Sequence, residues 1–141
     1  MPFYSPETPI MVELASDVTH TQSSTNLEDV TGMSFPVVSG GTYSWILFLL
    51  HNTSAAADID VAYSVPAGAG RHSGTVLSGT ATGLTAKIQL IGAGADATSF
   101  CWAHYQPTAD GTIQLRFAQR GSEASDTKVL DGTTLIVWRS A

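Results

Sequence analysis

The chain has 141 residues, 43% of them hydrophobic, which is enough for one β domain with a real core. Only 13% are charged, about half the usual share, so part of the surface is either covered by partners or kept soluble by hydroxyls and glycines. The net charge is −6, and the basic residues Arg71, Lys87, Arg116, Arg120, Lys128 and Arg139 form no cluster, which argues against nucleic-acid binding.

Residues 1–9, MPFYSPETP, hold three prolines. They cannot form a helix and do not suit a sheet interior, so they are expected to be an extended arm ahead of one domain spanning residues 10–141. Phe3 and Tyr4 are costly to leave in water, so the arm is expected to lie on its own domain or on a neighbour. No basic start followed by a long apolar run is present, so manufacture in the cytoplasm and use without classical secretion are expected.

Residues 10–14 are the first strand candidate, and 26–32 a turn or brief strand. Gly40-Gly41 marks a turn. Residues 42–51, TYSWILFLLH, begin with alternation and become continuously apolar, which predicts a central strand buried on both sides. Their longest apolar run, residues 45–50, is strand-sized and too short for a membrane span. Residues 58–66 alternate, with Ile59, Val61, Tyr63 and Val65 on one face and Asp58, Asp60, Ala62 and Ser64 on the other. The stretch AGAGRHSG that follows reads as a glycine-rich loop, and Val76-Leu77 as a weak strand. Residues 84–91 alternate again, and 98–105, TSFCWAHY, form an aromatic-rich strand.

The last thirty residues read as two strands joined by a polar connection: 111–119, GTIQLRFAQ, and 129–138, VLDGTTLIVW. In the second, Leu135 and Val137 oppose Ile136 and Trp138, so both faces are apolar. Such a strand must be covered on both sides by a second sheet, a loop or a neighbouring subunit, which suits a structural domain better than an enzyme. About eight strands with turns every eight to twelve residues and no convincing helix predict an all-β antiparallel sandwich, jelly-roll-like.

Candidate chemistry is sparse, and neither a catalytic residue nor a cofactor or metal is expected. His20, His51, His72 and His104 show no ligand spacing. Asp58 and Asp60, two apart on a strand, read as a solvated face; glycosidase chemistry or calcium binding would need further oxygens across a cleft. The segments around Gly68–Gly74 and Gly92-Ala93-Gly94 resemble phosphate loops only superficially, because neither opens a helix or carries a GK[ST] element. Ser99 and the other serines lack a nucleophile elbow. Cys101, the single cysteine, excludes an internal disulfide and reads as a buried thiol. Trp45, Trp102 and Trp138 each lie on a strand, as core or interface groups; a carbohydrate-binding module would need one of them facing solvent in a groove.

Four segments, residues 27–50, 58–70, 111–119 and 127–139, carry a family likeness. Their "VTGMSFPV…GGTY" lead-in and "LRFAQ…VLDGTTLIVWR" ending resemble the head decoration (cement) proteins of tailed bacteriophages and related β-sandwich modules of head or tail fibres. The resemblance implies a trimer bound to the major capsid protein or another virion protein, on the outer surface of the head. Neither a nucleic-acid nor a membrane partner is expected, given the scattered basic residues and the lack of an apolar run of spanning length. The family's assembly surface would map onto Arg116, Phe117, Gln119 and Arg120, with Gln119 and Arg120 near a symmetry axis, and with Phe3, Tyr4 and Trp138 as further contacts. A tail, baseplate or head-fibre position would use a similar fold.

Overall fold

The computed structural model describes residues 8–74 and 81–140. Among them are twelve strands and no helix. In chain order they are β1 (Ile10–Glu13), β2 (Val18–Thr19), β3 (Glu28–Val37), β4 (Tyr43–Asn52), β5 (Ile59–Ser64) and β6 (Gly68–Gly74). The rest are β7 (Ala81–Thr82), β8 (Ile88–Leu90), β9 (Asp96–Pro107), β10 (Gly111–Gln119), β11 (Lys128–Val129) and β12 (Thr134–Arg139). The larger sheet runs β1-β12-β4-β9-β6-β7, with β11 joining β2 to the far end of β4; the smaller runs β3-β10-β5-β8. The long strands alternate between the sheets along the chain. The layers β1-β12-β4-β9 and β3-β10-β5-β8 give the strand order of a jelly roll, and β6 and β7 extend the larger sheet beyond β9. The antiparallel β-sandwich expected from the sequence is the fold observed.

Two-residue alternation builds the core. On β4, Tyr43, Trp45, Leu47 and Leu49 point inward, and on β10 Ile113, Leu115 and Phe117 meet them from the other sheet. Trp45 stitches the two layers: its ring is edge-on to Phe35 of β3 at 5.1 Å and to Tyr63 of β5 at 5.3 Å. Each of these fully buried aromatics contributes roughly 3 kcal/mol through burial. The two segments 111–119 and 129–138 do not pair with each other. The first is β10 in the smaller sheet; the second breaks at Gly132 (φ 82°) into β11 and β12 of the larger. Thr133 Oγ1 pins that break by accepting from Leu50 N at 3.0 Å and donating to Leu50 O at 3.2 Å.

Several expectations are corrected. β4 is central but buried on one face only; Ser44, Ile46, Phe48 and Leu50 on its other face stay half-buried. The AGAGRHSG stretch is strand β6, not a loop. A Cβ on Gly70 would lie 2.1 Å from His104 O, and one on Gly68 2.7 Å from the Tyr105 hydroxyl, so the glycines let the Tyr105 ring lie across β6. Of the turn or brief strand expected at residues 26–32 the strand is what forms, and it is longer than expected: β3 runs from Glu28 to Val37 and pairs with β10 through a bulge. Pro36 is tolerated because β3 is an edge strand. Of residues 84–91 only Ile88–Leu90 are strand, although Leu84 is still buried. Val76 and Leu77 lie outside the described residues, as do Phe3, Tyr4 and the arm up to residue 7.

Candidate binding face of the larger sheet

The outer faces of the two sheets differ in chemistry. That of the smaller sheet is polar and ion-paired. Arg116 Nε donates to Asp29 Oδ1 at 2.9 Å, and Asp60 lies between Arg120 Nη1 at 3.4 Å and Lys87 Nζ at 3.7 Å. That of the larger sheet is apolar and open. The ladder register lines its side chains up in rows across the strands. One row reads Met11, Ile136, Ile46, Trp102, Ser73. A second places Phe48 beside Phe100, edge-on with ring centroids 5.2 Å apart. Met11 is 67% exposed, Trp102 50% and Phe100 44%, so water covers what the sequence leads one to expect buried.

The third row turns polar: Trp138, Ser44, His104, Arg71. Between Trp138 on β12 and Trp102 on β9 runs a groove of about 530 Å³, floored by Ser44 and Ile46 and bordered by His104 and Arg71. That size falls within the range of small-ligand sites. Ser44 Oγ and His104 Nδ1 are hydrogen-bonded at 3.1 Å, which fixes the imidazole against the sheet. Arg71 is exposed and makes no ion pair among the described residues.

The residues singled out from the sequence do not form one surface. Trp138 is on the open face of the larger sheet, 37% exposed. Arg116 and Arg120 belong to the outside of the smaller sheet, on the far side of the sandwich. Phe117 and Gln119 correct the expectation, because both are fully buried and out of reach of any partner of the folded chain. Phe117 packs inside, edge-on to His20 at 5.3 Å. Gln119 holds the following loop, donating from Nε2 to Ser125 O at 2.8 Å and accepting from Glu123 N at 3.1 Å. A Gln119–Arg120 pair at a symmetry axis is therefore not available.

Three of the four histidines are buried rather than at edges: His20, His51 and His72. Burial holds the pKa of His51 below the ordinary imidazole value. The same desolvation lowers His72, opposed by its Nε2 bond to Ala86 O at 2.6 Å. His51 Nε2 meets Ser99 Oγ at 2.9 Å, but both groups are buried and His51 Nδ1 has no hydrogen-bond partner among the described residues, so the pair lacks there the third member and the access of a hydrolytic triad. Asp58 and Asp60 are also committed. The Asp58 carboxylate accepts from Gln89 Nε2 and Gly92 N, and Asp60 is neutralised by its two cations. Among the described residues no group of three or more His, Cys, Asp or Glu side chains is placed to hold a metal ion. Cys101 is buried, which pushes its thiol up to about 12 and makes it a poor nucleophile.

Sequence reasoning named Trp102 and Trp138 but did not bring them together, nor add Ser44, His104 and Arg71. Those five come from β12, β4, β9 and β6, and only the pairing register joins them. The usable signal was the alternation Phe100, Trp102, His104 against Cys101, Ala103, Tyr105, in which the buried set is complete and the large aromatics are left over. No described helix is long and apolar enough to cross a membrane. No protein-family model, no curated protein and no solved structure matches the chain.

Proposed function

We propose that the protein is a structural module of a tailed-phage particle, a capsid decoration protein that attaches as a trimer and stabilises the shell by burying the open face of its larger sheet. The observation that carries the reading is the uncharged apolar half of that face. Met11, Ile136, Ile46, Phe48 and Phe100 form a continuous sheet surface drawn from four strands. Apolar area of this kind gains roughly 25 cal/mol per Å² when removed from water, and contiguous exposed patches mark association surfaces. The low charge of the chain and its resemblance to phage cement proteins supply the kind of partner. Binding would act by mass action, favouring the assembled shell over its parts.

The test is co-sedimentation with purified phage heads. The wild-type chain should pellet with heads, and a Met11→Glu, Ile136→Thr variant should lose at least about tenfold in affinity while remaining folded. A wild-type chain that stays in the supernatant, or a variant that pellets equally well, overturns the reading.

A further inference from the structure

We infer that the groove between Trp102 and Trp138 is a saccharide site selective for sugars that carry a carboxylate. The inference goes beyond attachment to a particle and does not depend on it. A pyranose presents an apolar face of C–H bonds and a rim of hydroxyls, so it is matched by an indole surface next to small hydrogen-bonding groups. The groove offers that combination. Trp102 and Trp138 stand two strands and two residues apart, about 12 Å on the diagonal by the ordinary strand spacing and rise, which spans one or two sugar rings. Ser44 and His104 supply hydroxyl and imidazole groups between them. With Nδ1 of His104 held by Ser44, its Nε2 has no partner among the described residues.

The charge at the site selects the class of sugar. The chain has twelve acidic and six Lys or Arg residues, yet among the described residues no carboxylate lines the groove. Among the described residues its ionisable lining is basic: Arg71, exposed and in no ion pair with any of them, next to His104, with His72 buried behind. In a protein of net charge −6, a cationic end to an aromatic trough complements an anionic ligand. Arg71 has the planar fork that a carboxylate accepts bidentately. It is reached at the end of the row Trp138, Ser44, His104, Arg71, so a ring stacked over the trough would place an acidic substituent at that end.

The experiment titrates the isotope-labelled full chain with 3′-sialyllactose, lactose and sodium acetate, following the three tryptophan indole N–H signals by NMR. Ligand is taken to about 20 mM, where a site with a Kd of about 1 mM is nearly saturated. The Trp102 and Trp138 signals should shift with 3′-sialyllactose, that of buried Trp45 should move least, and lactose should bind at least about tenfold more weakly. Arg71→Gln should erase the difference between the two sugars by bringing the affinity for 3′-sialyllactose down to that for lactose. Trp102→Ala, at a half-exposed position, should abolish both responses in a chain that remains folded. Four results overturn the inference: no shift with either sugar, equal affinity for both, the same shifts with acetate alone, or sugar-free signals that drift with protein concentration. The last would mean that a second copy of the chain occupies the groove.

Discussion

Gly70 offers a test in which two physical arguments give opposite signs. Its φ is not positive, so Gly70→Ala should on chain entropy alone stabilise the protein by about 0.4–1 kcal/mol. The structure says otherwise. The new Cβ would sit 2.1 Å from His104 O, 2.6 Å from Tyr105 Cδ2 and 2.9 Å from Tyr105 Cα. Two of these are backbone atoms of β9, which is paired to β6 and cannot swing aside as a side chain would. Overpacking of this kind costs about 3 kcal/mol, so the net loss should be about 2–3 kcal/mol. At about 2.1 cal/mol/K per residue, a chain of 141 residues unfolds with an entropy of roughly 0.3 kcal/mol/K, and the Tm should fall by about 7–10 °C. Calorimetry with urea melts at matched conditions measures both quantities. An unchanged or raised Tm would refute the close β6–β9 approach and with it the position of Arg71 on the open face.

Three further outcomes follow from buried polar groups. His51 and His72 have folded pKa values below the ordinary 6.5, so the unfolded chain takes up protons first. Their contribution is level above about pH 6.5 and declines as pH falls toward the lower folded values; a His51→Gln, His72→Gln variant should flatten that decline in urea melts, and an unaltered slope would contradict the assignment. Asp60 is 3% exposed and shares two partly exposed cations. Arg120→Ala or Lys87→Ala alone should cost less than about 1 kcal/mol, but both together on the order of 2–3 kcal/mol, because the carboxylate is then buried unpaired; simple additivity would argue against the shared pairing. The Tyr63 hydroxyl is buried near the Trp45 indole but makes no well-formed hydrogen bond among the described residues, and burial pushes its pKa above the ordinary phenol value. Tyr63→Phe should therefore be neutral or stabilise by about 1 kcal/mol, and a clear loss of stability would reveal a partner for that oxygen.

The fold was largely legible because alternation is a local property. Ile113, Leu115 and Phe117 announce both a strand and its buried face, and β10 has the bounds that the sequence suggests. Three things were not local. Burial on both sides of β4 was inferred from its apolar content, but composition does not distinguish a covered face from an open one. Only the position of β12, β4 and β9 at one surface shows that Ile46 and Phe48 look outward. The strand β6 was hidden because its glycines serve the ring of Tyr105, more than thirty residues away in the chain. Arg116, Phe117, Gln119 and Arg120 are neighbours in sequence yet divide between two solvated cations and two buried side chains, since a strand followed by a loop gives adjacent residues opposite environments. The groove was the least legible feature, being a product of register across four strands.

The open apolar face is the centre of this account, and the mass of the protein in solution tests it most directly. Light scattering across a dilution series should give three times the 14.8 kDa of the chain for the wild type and for the Met11→Glu, Ile136→Thr variant alike, because the face is kept for the shell, and only the wild type should add mass to purified heads. A wild-type protein that stays at 14.8 kDa at every concentration and does not pellet with heads would contradict it.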